Sequence, residues 1–190
     1  MQNQIRAFIA LELNKEVKKE LANIQKKLKE IDGDIAWVDP ENFHLSLNFL
    51  GNIDQGSVPT IEKILKNVCK KIKEFQLALD ILGVFPYVSS PRVIWIGIGS
   101  GYNSVTLANT LIDAGLKENN FRIKEKHFHP HITLGRAKNI RDIDSFSKMI
   151  DTLKPHCRSI DIKKLTLFKS ELNSDGAVYT KIAETNLGKV

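Results

Sequence analysis

Two short segments of the sequence carry the same order of side chains: histidine, aliphatic residue, hydroxyl residue, leucine. The first segment is His44–Leu47 and the second is His131–Leu134. In a β-strand, side chains two positions apart point to the same face, so each histidine shares a face with the hydroxyl residue of its segment. The aliphatic residues then point to the opposite, buried face. If both strands face one cleft, two imidazoles and two hydroxyls surround one ligand.

This set of groups suits in-line displacement at a phosphodiester. A neutral histidine can take a proton from the nucleophile while a protonated histidine gives a proton to the leaving oxygen. Small hydroxyl donors can hold the non-bridging oxygens as negative charge develops. We therefore predict His44 and His131 as catalytic residues and Ser46 and Thr133 as phosphate-binding residues. Because side chains supply both the proton transfers and the charge stabilisation, this chemistry needs no metal and no cofactor.

Two other functions remain open at this point. His127, His129 and His131 alternate, and an unbroken strand would place three imidazoles on one face, as in a metal site. Pro130 interrupts this run, and no cluster of Asp or Glu lies beside it. A metal-dependent phosphoesterase that uses these three histidines is therefore one alternative. The other is an RNA- or nucleotide-binding module without turnover, although pure binding would not require two proton carriers.

The charge and the apolar pattern indicate the kind of partner and the compartment. Lys and Arg number 28 against 22 Asp and Glu, and the net charge of +6 favours an anionic partner such as RNA, a nucleotide or phosphate. The N-terminus does not resemble a signal peptide, and no apolar run approaches the ~18 residues of a membrane span. The two cysteines, Cys69 and Cys157, lie far apart in the chain and predict no disulfide framework. We expect a cytoplasmic protein that does not enter a membrane.

The surrounding elements favour an α+β fold. Apolar residues at helical spacing predict four helices, which begin near Asn14, Ser57, Tyr102 and Asp142. Strand-like runs lie between them, and some follow one another without an intervening helix, which is typical of antiparallel rather than doubly wound sheets. Since the histidine motif recurs in both halves, residues 1–190 are predicted to form one two-lobed domain. The predicted strands are Ile5–Leu13, Phe43–Leu50, Phe75–Leu82, Arg92–Ile98, Phe128–Gly135, Ser159–Lys169 and Ala177–Ala183.

The residues around both motifs resemble the 2H phosphoesterase superfamily, whose signature is a pair of His-x-Ser/Thr-x tetrapeptides. More narrowly, they resemble the RNA 2′,3′-cyclic phosphodiesterases, which are also called 2′-5′ RNA ligases. The similar segments are Arg6–Leu11, Phe43–Gly51, Pro91–Gly97 and Pro130–Arg136. The resemblance implies a bilobal, pseudo-two-fold fold in which two antiparallel sheets face a central cleft and helices pack on the outside.

The same resemblance implies an activity and assigns roles. It implies hydrolysis of RNA 2′,3′-cyclic phosphate ends to 2′-phosphomonoesters, and in some members reversible 2′-5′ joining of tRNA halves, by a protein expected to be a monomer. By this resemblance His44 protonates the departing 3′ oxygen and His131 activates water. Ser46 stands where Thr is commoner but keeps the hydroxyl. Arg136 matches a phosphate contact of the family. Strict alternation would place Arg136 on the face opposite His131, so this role requires the strand to end at Gly135.

Overall fold

The computed structural model describes residues 3–123, 127–156, 159–173 and 176–189. This part of the chain contains four α-helices, and all begin where the periodicity predicts. The side chains of Asn14 and Asp142 accept hydrogen bonds from the first turns of the helices that follow them, each at 2.9 Å. No helix among the described residues is long and apolar enough to cross a membrane. The helices are α1 (Lys15–Leu28), α2 (Val58–Cys69), α3 (Tyr102–Glu118) and α4 (Ile143–Thr152).

The strands differ from the predicted runs in their bounds, and three of the differences add a strand. One strand, the second in chain order, is not predicted: it is short, and its partly buried face carries only Ile35 and Trp37 beside Gly33, too few apolar residues to indicate a strand. Two predicted runs, 75–82 and 159–169, each divide into a short and a long strand, because the two short pieces pair only with each other. The strands are β1 (Gln4–Glu12), β2 (Gly33–Trp37), β3 (His44–Asp54), β4 (Phe75–Leu77), β5 (Leu79–Tyr87), β6 (Ser90–Ile98), β7 (His131–Ile140), β8 (Ile160–Ile162), β9 (Lys164–Asn173) and β10 (Gly176–Asn186).

The strands form two antiparallel halves that meet at the two histidine strands. One half has the order β10-β9-β1-β3, and the other has the order β7-β6-β5 with β2 paired to β7. Helices α2 and α3 pack behind the first half, and α4 contacts β5 in the second. The predicted α+β fold with antiparallel strand pairing is thus confirmed. The pairing of Leu45 with Ile132 joins the two halves into one continuous sheet.

Leu45 lies at this junction and its side chain is fully buried. We expect Leu45→Ala to lower the free energy of unfolding by about 2–5 kcal/mol, because the truncation leaves a cavity that the surrounding sheet fills only partly. Urea denaturation of both proteins measures the difference. Leu107→Ala is the matched control: Leu107 lies on α3 and is 48% exposed, so its loss should be within about 0.5 kcal/mol. Equal effects of the two substitutions would contradict the central position of Leu45 in the core.

Candidate active site

The two histidine motifs line one cleft of about 1220 Å³ between the halves of the sheet. Leu45 and Ile132 are opposite partners in the strand pairing, and both are buried in the core. Residues on either side of this pair therefore point to the other face of the sheet. That face carries His44, Ser46, His131 and Thr133, all of which line the cleft. The structure thus brings together the four residues that the motif pattern singles out.

Both imidazoles are oriented in the same way by the backbone. His44 Nδ1 donates to the carbonyl of Asn42 at 2.6 Å, and His131 Nδ1 donates to the carbonyl of His129 at 2.7 Å. A carbonyl can only accept, so the hydrogen of each neutral ring is on Nδ1 and the lone pair is on Nε2. The Ser46 hydroxyl lies 2.8 Å from His44 Nε2 and donates to it. In both histidines, Nε2 is therefore the atom that can take up or release a proton.

Aromatic side chains pack against each imidazole and shield part of it from water. The His44 ring lies 4.8 Å from the Phe8 ring and 5.2 Å from the Tyr179 ring, between centroids. The His131 ring lies 5.2 Å from the Phe85 ring, edge to face. Burial lowers the pKa of both histidines below the ordinary value of 6.5, although the backbone hydrogen bonds oppose this shift. Positive charge on Lys18, and then on His131, lowers the pKa of His44 further.

A β-bulge places Arg136 on the same face as His131. The sequence required β7 to end at Gly135 if Arg136 was to contact phosphate. Strand β7 instead continues to Ile140, and Arg136 reaches the cleft for a different reason. Thr133 pairs with Trp95 of β6, and Gly135 pairs with the preceding residue of β6, so Leu134 is an extra residue in β7. An extra residue reverses the alternation of the side chains that follow it. Arg136 is therefore exposed and lines the cleft.

The first motif contains the same irregularity. In β3, Ser46 pairs with Ala10 and Asn48 pairs with Ile9, so Leu47 is the extra residue. Phe49 consequently turns towards the cleft, where its side chain is 66% exposed. Phe49 and Arg136 each follow their histidine by five positions, and sequence alternation alone would have placed both of them on the buried face.

The cleft carries an excess of positive charge. Arg6, Lys29 and Arg136 line it, whereas Asp39 is the one carboxylate among the described residues of its wall. Such an excess attracts anionic ligands. Sequence reasoning did not assign Arg6 or Lys29 to the site. Lys29 follows a helix whose outer face is rich in lysine, so its type and position carried no signal that distinguishes it from a solvated surface residue.

The rings of His127, His129 and His131 do not form one ligand cluster. His129 packs its ring against Trp95 at 4.9 Å and uses its backbone carbonyl, not its ring, to hold His131. His127 is exposed. Within residues 3–123, 127–156, 159–173 and 176–189, no three His, Cys, Asp or Glu side chains are grouped so that they could hold a metal ion. Cys69 is buried and unbridged, and Cys157 lies outside the described residues.

Comparisons with known proteins agree with this arrangement. The model of the family described as LigT-like phosphoesterase matches residues 11–95 and 105–179. An RNA 2′,3′-cyclic phosphodiesterase of Methanothermobacter thermautotrophicus is 30% identical over 93% of this chain and 96% of its own. The protein of the same name from Aquifex aeolicus is 33% identical over 97% of this chain and 98% of its own. A crystal structure from Thermus thermophilus has a TM-score of 0.82 and 26% identity, covering 97% of this chain and 99% of the other. Since the matched segments include both histidine motifs and most of the sheet, the chain belongs to the LigT-like phosphoesterase family, within the 2H phosphoesterase superfamily.

Proposed function

We propose that this protein hydrolyses the 2′,3′-cyclic phosphate ends of RNA to 2′-phosphomonoesters. The observation that carries the proposal is the pair of imidazoles in one cleft, each with Nδ1 fixed by a backbone carbonyl and Nε2 left for proton transfer. The names of relatives that are 30% and 33% identical over almost the whole chain support the same activity. The positive charge of the cleft suits a phosphate ligand.

The proposed reaction uses each histidine for one proton. His131 Nε2 takes a proton from water, and the resulting hydroxide attacks the phosphorus. The bond from phosphorus to the 3′ oxygen breaks, and protonated His44 gives its Nε2 proton to that oxygen. The product is a 2′-phosphomonoester with a free 3′ hydroxyl, and no cofactor takes part. Ser46, Thr133 and Arg136 hold the non-bridging oxygens while their negative charge increases.

The electrostatics of the cleft suit a pair of imidazoles of which one is neutral and one is protonated. Burial keeps both imidazoles neutral in the unliganded protein at neutral pH, because their pKa values lie below 6.5. A bound phosphate is an anion beside both rings and raises the pKa of each. One histidine can then become protonated when substrate binds. The resemblance to the RNA 2′,3′-cyclic phosphodiesterases assigns this acid role to His44.

The experiment that tests this function follows an RNA oligonucleotide with a 2′,3′-cyclic phosphate end in the presence of EDTA. We expect full turnover, because the acid, the base and the charge-stabilising groups are side chains, and we expect the 2′-phosphate as product. A 3′-phosphate product would contradict the assignment of His44 to the 3′ oxygen. Loss of turnover with EDTA that zinc or manganese restores would favour the metal-dependent alternative at His127, His129 and His131. Binding without turnover would favour the RNA-binding alternative.

The same site could join RNA ends if a 5′ hydroxyl replaces water as the nucleophile. We propose this reversible 2′-5′ joining, with tRNA halves as substrates, as a second reaction of the same two histidines. Adding an RNA with a 5′ hydroxyl to the assay would give a 2′-5′-linked product, and its absence at saturating RNA would contradict the proposal. We propose further that residues 1–190 act as one bilobal domain and as a monomer, because one chain supplies both histidines. The proposal of a cytoplasmic location rests on the sequence pattern alone.

A further inference from the structure

The bulge inside each histidine motif is held by a buried carboxamide from a helix. In β3, Asn109 Nδ2 of α3 donates to the carbonyl of the extra residue, Leu47, at 3.0 Å. In β7, Gln25 Nε2 of α1 donates to the carbonyl of the extra residue, Leu134, also at 3.0 Å. The two extra residues each follow their histidine by three positions. The two halves of the molecule thus contain the same interaction, a helix amide that donates to the bulge carbonyl, although the two amides come from different helices.

Both amides are buried and lie in otherwise apolar helix faces. Gln25 is 2% exposed and Asn109 is 8% exposed. Gln25 stands between Ile24 and Leu28 in the buried stripe of α1. Burying a polar side chain at such a position destabilises the fold unless the side chain is hydrogen-bonded. The hydrogen bonds of Gln25 and Asn109 therefore account for these polar residues in apolar helix faces. Neither amide lines the cleft, and neither is used in the proposed reaction.

Gln25 also connects the bulge of β7 to the segment that follows β2. Its Nε2 donates a second hydrogen bond, to the carbonyl of Val38 at 2.7 Å. The backbone N–H of Val38 donates to the same Leu134 carbonyl at 3.0 Å. Both amide hydrogens of Gln25 are therefore used to hold Val38 and Leu134 together. Val38 and the neighbouring Trp37 form part of the cleft wall.

We infer that Gln25 and Asn109 are positioning residues, which maintain the bulges that return Arg136 and Phe49 to the cleft face. A bulge interrupts the strand pairing, and in β7 the Gln25 amide gives the Leu134 carbonyl a second donor and donates to the Val38 carbonyl. Without the amide, Val38 O loses this donor and Leu134 O keeps only the Val38 N–H, so the bulge loses free energy relative to pairing without the extra residue. A shift of one residue turns each following side chain to the opposite face, which takes Arg136 out of the cleft.

The test is a double-mutant cycle between Gln25→Met and Arg136→Ala. Gln25→Met keeps the length and burial of the side chain but removes both donors. We expect it to lower kcat/KM by up to about 10²-fold, the scale on which a small misplacement of a site group reduces a rate. The variant that carries both substitutions should be no slower than Arg136→Ala alone, since Gln25 acts through Arg136. Asn109→Leu is the matched control: it removes the same kind of bond in the other motif, so its effect should multiply with that of Arg136→Ala.

Two results would overturn the inference. One is a Gln25→Met protein with the kcat/KM of the original protein. The other is equal coupling of Gln25→Met and Asn109→Leu to Arg136→Ala, which is what general loosening of the fold would produce. Ile24→Ala, one residue away in the same buried stripe, controls for lost stability: it should lower the unfolding midpoint and leave kcat/KM unchanged. Should Gln25→Met not fold, the same cycle is run with Gln25→Leu, which is also apolar and has no donor.

This inference rests on the proposed function for its activity measurements, and a second measurement separates the two. Inorganic phosphate binding to each variant, followed by calorimetry, needs no turnover. We expect Gln25→Met to weaken phosphate binding as Arg136→Ala does, and the variant with both substitutions to bind no more weakly. If the original protein does not hydrolyse the cyclic phosphate end, the proposed function fails, while this phosphate cycle still tests the role of Gln25. Unchanged phosphate affinity in Gln25→Met would overturn the positioning role.

Discussion

His131→Ala and His44→Ala are each expected to lower kcat/KM by about 10²–10⁴, the usual contribution of a general base or a general acid. Each substitution removes the Nε2 that carries one of the two protons, and the Nδ1 contact to the backbone is lost with it. The variant that lacks both histidines should lose much less than the product of the two single losses, because residues that act as one unit are not additive. Steady-state rates on an RNA oligonucleotide with a cyclic phosphate end measure these effects.

Two neighbouring histidines are the controls for this prediction. His129→Ala keeps the backbone carbonyl that accepts from His131 Nδ1, so the orientation of the His131 ring is preserved. His127 is exposed, so its substitution should leave both motifs intact. Both variants should stay close to the original rate. A loss in either control as large as that of His131→Ala, together with an active His44→Ala protein, would contradict the two-histidine mechanism and favour the metal-dependent alternative.

The pH profile of kcat/KM is expected to be bell-shaped, with its maximum on the acid side of pH 6.5. His131 must be neutral to act as the base, so the rate falls as the pH falls below its pKa. His44 must be protonated to act as the acid, so the rate falls as the pH rises above its pKa. Burial lowers both pKa values from 6.5. Because kcat/KM reports the unliganded protein, both limbs of the profile lie at lower pH than two histidines with a pKa of 6.5 would give. Well beyond each pKa, kcat/KM falls about tenfold per pH unit.

Variants identify which limb belongs to which residue. The residual activity of His44→Ala should lack the alkaline limb, and that of His131→Ala should lack the acidic limb. In the original protein the two apparent pKa values belong to the interacting pair, since charge on His131 affects the pKa of His44. The profile of kcat should lie at higher pH than that of kcat/KM, because the bound phosphate favours protonated imidazole. A kcat/KM maximum on the alkaline side of neutrality would contradict the burial of the two rings.

The sequence by itself determined the parts of this protein that depend on neighbouring residues. The paired order of histidine and hydroxyl residues identified His44, Ser46, His131 and Thr133, because side chains two apart in a strand share a face. Helical spacing of apolar residues located all four described helices, because that spacing follows from the geometry of one turn. The resemblance around the two motifs identified the family.

Only the tertiary structure decided the features that depend on residues far apart in the chain. Leu47 and Leu134 are extra residues only in relation to the partner strands β1 and β6. No local sequence pattern shows where one strand has a residue that its partner lacks. For this reason alternation alone placed Arg136 on the wrong face. The short strand β2 forms only because β7 offers it an edge. The acid shift of both histidine pKa values likewise arises from aromatic rings of other strands, since burial is a property of the assembled fold and not of the residue type.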